Sequence, residues 1–257
     1  MTFVISADSY DRYMGRYSRE LAPRLVEFGR VEPGMRVVDV GCGPGPLTEA
    51  LAARLGADNV AAADPSELLV AACADRVPEA DVRLAPAEQL PWPNDSFDAA
   101  FSQLVVNFMR NARAGVGEMR RVVREGGAVT SCTWDYSEGM RMLRIFWDAA
   151  VALDPEAPDE GRTMQFQRPE ELEALWREVG LGEIETAPLD VAVDYESFDD
   201  YWEPFTTGTA PGGAYCASLT PERRVALREE CRRRLGNPQG PFRLPARAWA
   251  VRGRLAD

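Results

Sequence analysis

The sequence contains no histidine, and all 29 of its basic residues are arginine, so it contains no lysine either. Histidine is the usual general base and the commonest metal ligand near neutral pH, and lysine is the amine that forms Schiff bases. Their absence excludes serine–histidine triads, histidine-metal hydrolysis and pyridoxal chemistry, and leaves carboxylate, tyrosine or cysteine for any proton transfer. Cys42, Cys73, Cys132, Cys216 and Cys231 are odd in number, dispersed and without a CxxC pair. Neither a disulfide framework nor a metal site is expected from them; they read as reduced, mostly buried small hydrophobes. No apolar run approaches the roughly 18 residues of a membrane span, and the N-terminal MTFVISADSYDRY lacks the basic start and apolar core of a signal peptide. A cytoplasmic protein without a membrane partner is expected. A net charge of −12 opposes nucleic acid as a partner, because binding a phosphate backbone relies on cations that displace its counterions. A small-molecule substrate is the remaining expectation, and the oligomeric state is unmarked.

What is present suits one α/β domain with an elaboration. At 257 residues and 46% hydrophobic the chain can bury a full core. Residues 8–28 place Tyr10, Tyr13, Met14 and Tyr17 at i, i+3, i+4 and i+7, the stripe of an amphipathic helix. RVVDVG then reads as a buried strand, and Pro46 opens a helix that stops at Gly56. NVAAAD, DVRLA, FDAAFSQ and GAVTSCTW read as strands two to five, with helices at about 66–76 and 112–124. Alternation of this kind builds a parallel sheet with helices on both faces, and ligands in such sheets bind beyond the carboxyl ends of the strands.

The stretch VVDVGCGPG, residues 37–45, lies at one of those ends. A turn leaving a strand for a helix needs glycine where the backbone approaches a ligand or takes positive φ, so Gly41, Gly43 and Gly45 point to a ligand cradle; a bare strand–helix turn is the alternative. Asp64 ends the second strand, where a carboxylate accepts from both hydroxyls of a ribose, or else caps the next helix. Together they point to a nucleoside-containing cofactor. The pattern GCGPG puts Pro46 where the dinucleotide fingerprint GxGxxG has its last glycine, which disfavours a nicotinamide cofactor.

VVDVGCGPG, Asp64, AEQLPW at 87–92, SFDAAFS at 96–102 and VVREGGAV at 122–129 occur in the order and spacing of class I S-adenosylmethionine-dependent methyltransferases. With YDRYMGRYS at 10–18, the sequence resembles the ubiquinone and menaquinone branch of that family over roughly residues 8–135. The resemblance implies a Rossmann-like, seven-stranded, mostly parallel sheet whose last strand is antiparallel, with S-adenosyl-L-methionine as cofactor and S-adenosyl-L-homocysteine as product. By resemblance, Asp39 and the Gly41–Gly45 turn hold the methionine portion, Asp64 the ribose, and Pro65 with Ser66 lie against adenine. Ala87 offers its N–H to the ring, the Ser102 carbonyl meets the methionine ammonium, and Arg16 grips the methionine carboxylate, unless it is a solvated surface arginine. Two departures matter. Pro86 stands where relatives carry an acid or amide, moving that contact to Glu88 or backbone, and Asn107 with Phe108 replace a His-His pair, so no histidine assists from that site.

The division implied is a cofactor-binding core at 1–135 and a remainder at 136–257 that adds strands six (GEIETAPLDVAV) and seven (FRLPARAWAVRG) with a helical substrate cap at about 195–236. DYSEGMRMLRIFWDAAVALD reads as a helix, DPEAPDEGRT as a polar loop and RPEELEALWREVGL as a helix. In the cap, Phe198, Tyr201, Trp202 and Phe205 fall at i, i+3, i+4 and i+7, the spacing of a core-packed face or of a lid anchored there, with a glycine hinge at 212–213. The arginines at 232–234 read as a solvated helix end. Tyr13, Gln103, Asn107, Phe108, Tyr201 and Trp202 are the candidate substrate contacts. No catalytic base is assigned, although Tyr13, Tyr201 and Glu203 are candidates. The expectation is methyl transfer to a small aromatic or apolar metabolite; the alternatives are a protein that uses the cofactor for non-methylating chemistry or as a binding subunit, and a nicotinamide oxidoreductase.

Overall fold

The computed structural model describes residues 11–208 and 210–256. Tyr10, part of the first helical stripe, lies outside them. The stripe is a π-helical turn over Asp11–Gly15 that continues as α1, Arg16–Phe28. Seven strands follow: β1 Val37–Val40, β2 Val60–Asp64, β3 Asp81–Leu84, β4 Phe97–Gln103, β5 Val123–Trp134, β6 Gly182–Tyr195 and β7 Phe242–Arg254. They form one sheet in the order β3-β2-β1-β4-β5-β7-β6, parallel from β3 through β5, with β7 antiparallel to both β5 and β6.

Local chemistry places the helices between strands. α2, Pro46–Leu55, begins at a proline and stops at Gly56, and α3, Glu67–Arg76, follows Ser66. α4, Ala112–Val122, is capped by the Asn111 side chain, which accepts from the Ala114 N–H at 3.0 Å. After β5 come α5 (Arg141–Leu153), the short α6 (Glu160–Thr163) and α7 (Pro169–Glu178). The insert between β6 and β7 carries α8 (Phe198–Trp202), α9 (Ala210–Ser218) and α10 (Pro221–Arg234).

Strand alternation divides the core in two. On one face Val37, Ala99, Phe101, Cys132 and Trp134 pack against α1, α2, α5 and the insert; on the other Val38, Val40, Ala61, Ala63, Ala100 and Val129 pack against α4 and α7. All five cysteines are buried and unbridged.

The second half departs from the sequence reading in three places. DPEAPDEGRT is no solvated loop, because Asp159 and Glu160 within it are 5% and 4% exposed and α6 starts there. The 212–213 glycines form no hinge: they lie inside α9, where a Cβ on Gly213 would come within 2.9 Å of the Gly208 carbonyl carbon and one on Gly212 would press on Phe205 and Phe146 at 3.3–3.4 Å. Their smallness lets α9 close over the aromatic cluster. Phe198, Tyr201, Trp202 and Phe205 are a core face, with Phe205 stacked on Phe146 at 4.3 Å and 7° and meeting the Tyr13 edge at 5.4 Å.

The insert is therefore a structural wall. Removing the Phe205 ring leaves a cavity among Tyr13, Phe146 and Tyr201, so Phe205→Ala is expected to cost about 3–5 kcal/mol in denaturant unfolding. A cost below about 1 kcal/mol would mean that the insert packs loosely.

Candidate functional site

The carboxyl ends of β1, β2, β4 and β5 open into a cavity of about 480 Å³, within the size range of small-molecule sites. Its two ends come from different parts of the chain. Asp39, Gly41, Gly43, Asp64, Pro65, Ser66, Leu84, Ala87 and Glu88 line one; Tyr13, Gln103, Phe108, Trp134, Tyr136, Leu143, Glu160 and Pro211 line the other.

The first end is built by the glycine turn. Gly41, Gly43 and Gly45 have φ of +77°, +55° and +93°. A Cβ on Gly41 would strike Val105 at 2.5 Å, whereas one on Gly43 would meet nothing within 4 Å and would project into open space. Gly43 thus keeps a cradle clear, and Gly41 lets the turn pass Val105. Gly45 packs on Cys73 and does not reach the cavity wall. Asp64 holds the turn, with Oδ2 accepting the Gly43 N–H at 3.0 Å and Oδ1 the Ser66 N–H at 2.9 Å. Capping of the next helix was the alternative to ribose binding, but Ser66 is the N-cap residue of α3 and no side chain caps it; Asp64 instead braces the turn and still leaves carboxylate lone pairs over. Burial raises its pKa despite those two donors.

Asp39 is fully buried. Its Oδ2 accepts from the Thr48 hydroxyl at 2.7 Å and its Oδ1 has no partner. Desolvation raises its pKa to about 7, against the Thr48 hydrogen bond. A buried carboxylate oxygen without a donor, beside a cradle kept open by Gly43, fits a ligand bearing an ammonium or hydroxyl group. These residues fit a nucleoside–amino-acid cofactor.

Two expected contacts are elsewhere. Arg16 pairs with Asp200 at 2.8 and 3.1 Å and lies over the Tyr195 ring at 4.8 Å. It therefore pins α1 to the insert, away from the cavity. Ser102 does not line the cavity, and its carbonyl accepts the Ser131 hydroxyl at 2.7 Å; Gln103 and Leu104 stand at that strand end instead, with Leu104 at φ +64°, a left-handed conformation unusual for leucine. Glu88 lines the cavity while accepting the Asn111 N–H at 3.1 Å.

At the second end Tyr13, Gln103 and Phe108 are in place. Asn107 stands behind the wall, donating to the Tyr136 hydroxyl at 3.2 Å. Tyr201 and Trp202 are withdrawn into the core, the Tyr201 hydroxyl donating to the Met142 carbonyl at 3.1 Å, and Glu203 is exposed on the insert. Neither Tyr201 nor Glu203 lines the cavity. Trp134, Tyr136, Leu143, Glu160 and Pro211 were not anticipated. Trp134 ends β5, so the rule of ligands beyond strand ends could have found it; Glu160 carried no such signal.

Comparison with known proteins agrees with this geometry. A model of a methyltransferase domain matches residues 38–130. A ubiquinone biosynthesis O-methyltransferase of Rhizobium rhizogenes (strain K84) is 31% identical, over 74% of this chain and 75% of its own length. The chain belongs to the class I S-adenosylmethionine-dependent methyltransferase family. Another relative in this family, a malonyl-[acyl-carrier protein] O-methyltransferase of Halorhodospira halophila, is 30% identical over 77% of this chain, which spans only 63% of that protein. A putative methyltransferase from Bacillus halodurans shares the fold at a TM-score of 0.61 and 14% identity, over 92% of this chain and 99% of the other. Among the described residues of this family member, no helix is long and apolar enough to cross a membrane and no group of three acidic or cysteine side chains could hold a metal ion.

The raised Asp39 pKa has a consequence for stability. A carboxyl that titrates near 7 when folded and near 4 when unfolded holds its proton more tightly in the native state, so its contribution to stability falls as pH rises from about 4 to about 7 and is level above. Over that interval the wild type should lose stability relative to Asp39→Asn, measured as a growing difference in thermal midpoint. A difference independent of pH would show that Asp39 ionises freely in the fold.

Proposed function

We propose that this protein transfers a methyl group from S-adenosylmethionine to a small acceptor of aromatic or apolar character. One observation carries the reading: a single cavity joins an end of carboxylates and open glycine backbone to an end of aromatic side chains. Asp39 would hold the ammonium of the methionine portion, the backbone at Gly43 would lie along it, and Asp64 would receive the ribose hydroxyls. Pro65, Ser66 and Leu69 would flank adenine, with the Ala87 N–H and Glu88 at its edge. When bound, the cofactor supplies a methyl group on a positively charged sulfur, already activated for displacement.

The chain's own work is alignment and exclusion of water. Tyr13, Phe108, Trp134 and Tyr136 form a wall that positions a flat acceptor. A positive charge is lost as the reaction proceeds, so a dry wall of this kind opposes it little. A net charge of −12 supports a small molecule over nucleic acid. The ubiquinone-pathway relative supports an aromatic acceptor, whereas the malonyl relative is named for a protein-borne one.

Calorimetric titration with S-adenosylhomocysteine, with NADH as control, tests the cofactor. Micromolar binding of the first alone is expected. Losing the Asp64 carboxylate should weaken it about 10- to 100-fold in Asp64→Ala, the effect of a charge-assisted hydrogen bond. Unchanged affinity in that variant would remove Asp64 from the cofactor site.

A further inference from the structure

The acceptor end of the cavity holds one carboxylate that the cofactor does not need. Glu160 is 4% exposed and lines the wall with Tyr13, Trp134 and Tyr136. Its Oε2 accepts the Trp147 indole N–H at 2.7 Å, and no hydrogen bond among the described residues occupies its Oε1. Neighbouring charge does not neutralise it. Arg144, the cation that acts on it, is engaged by Asp159 at 2.6 Å and by Asp148, and Asp159 also meets Arg162 at 3.7 Å. From the other elements Tyr13 is near enough to feel the charge of Glu160, and Tyr136 lines the same wall. The Tyr13 hydroxyl is buried without a partner, as are Trp134 Nε1 and Gln103 Oε1. Such a set of open polar atoms in an aromatic wall calls for a ligand that hydrogen-bonds there.

We propose that Glu160 is the general base of this enzyme, taking the proton of a phenolic hydroxyl on the acceptor. The assignment rests on the methyltransferase reading above. In the step, the acceptor's O–H proton passes to the Glu160 carboxylate as its oxygen attacks the methyl carbon. The new O–C bond forms as the C–S bond breaks, the electron pair of that bond stays on sulfur as a neutral thioether, and the Glu160 proton is later lost to water. With histidine and lysine absent from the chain, and the Tyr13 hydroxyl pushed well above its usual pKa by burial, a buried carboxyl is the group on this wall suited to the task. Burial raises the Glu160 pKa to about 7, against the Trp147 hydrogen bond and Arg144 and with help from Asp159, which brings it close to that of an effective base at neutral pH. The same wall disfavours a carboxylate acceptor. Among the described residues lining the cavity the only cation is Arg110, exposed beside Asn111 and hence near Glu88 at the other end. A second carboxylate would meet Glu160 unpaired.

The test uses S-adenosylhomocysteine, S-adenosylmethionine and three simple acceptor sets: phenols (catechol, 4-methoxyphenol), benzoates and benzylamines. Binding of S-adenosylhomocysteine to both wild type and Glu160→Gln shows that the variant is folded and the cofactor reading sound; failure of the wild type to bind would strike that reading, not this one. With the cofactor product bound, catechol should bind the wild type more tightly at about pH 8 than at about pH 6 and release protons near neutrality, with no release in Glu160→Gln. Methyl transfer to phenols should rise with pH through about 7 in the wild type and fall about 10²- to 10⁴-fold in Glu160→Gln. The proposal is overturned by equal proton release in the variant, by a variant rate matching the wild type, or by a wild type that binds the cofactor product yet methylates benzoates or benzylamines and no phenol.

Discussion

The carboxylate of Asp64 governs the geometry on which the rest depends. By accepting the N–H of Gly43 and that of Ser66, it ties the turn after β1 to the start of α3, beside the packing of Cys42 on Cys73 farther along that helix. Without an acceptor both N–H groups would point into a cavity walled by low-polarity side chains, and an unpaired buried donor costs about as much as a whole hydrogen bond contributes. Gly43 takes its positive φ at no steric cost because it has no Cβ, and the place where one would stand is left open. One carboxylate thus keeps the cradle open and shaped.

The same economy of polar groups marks the far end. The insert between β6 and β7 stacks Phe205 on Phe146 and sets it edge-on to Tyr13, fixing Tyr13 in the wall with its hydroxyl unmatched. Arg16 and Asp200 fasten α1 to that insert, although a pair still partly open to solvent contributes little energy by itself. Apolar packing, not ion pairing, holds the wall, and the polar atoms it strands are those a substrate can meet.

Two carboxyls raised to about 7 by burial, Asp39 and Glu160, stand in one cavity. Asp39 belongs to the first strand and to the part of the chain that the family model covers. Glu160 belongs to a short helix beyond that match. One carboxyl lies beside the glycine turn and the other in the aromatic wall, and burial raises both although their hydrogen-bond partners differ, a threonine hydroxyl for Asp39 and an indole N–H for Glu160.

The alternation of strand and helix, the glycine turn and the acid at the next strand end were legible in the sequence, because periodicity and backbone conformation are local properties and Gly43 or Asp64 need only their own neighbours to be interpreted. The sequence left Arg16 open between a ligand contact and a solvated surface arginine, because nothing in it says that Asp200, 184 residues away, meets its guanidinium. Tyr201 and Trp202 share a helical stripe whether it faces substrate or core, and only packing against α5 and the neighbouring aromatic rings decided for core. Glu160 sits in a stretch as polar as any surface loop, and its burial arises from Trp147 and Tyr13, contacts set by how α5, α6 and the N-terminal turn come together. The sequence by itself determined the sheet, the cradle and the absence of histidine and lysine chemistry. The tertiary structure alone decided which distant side chains wall the aromatic end of the cavity, because burial and pairing between residues far apart in the chain leave no periodic trace along it.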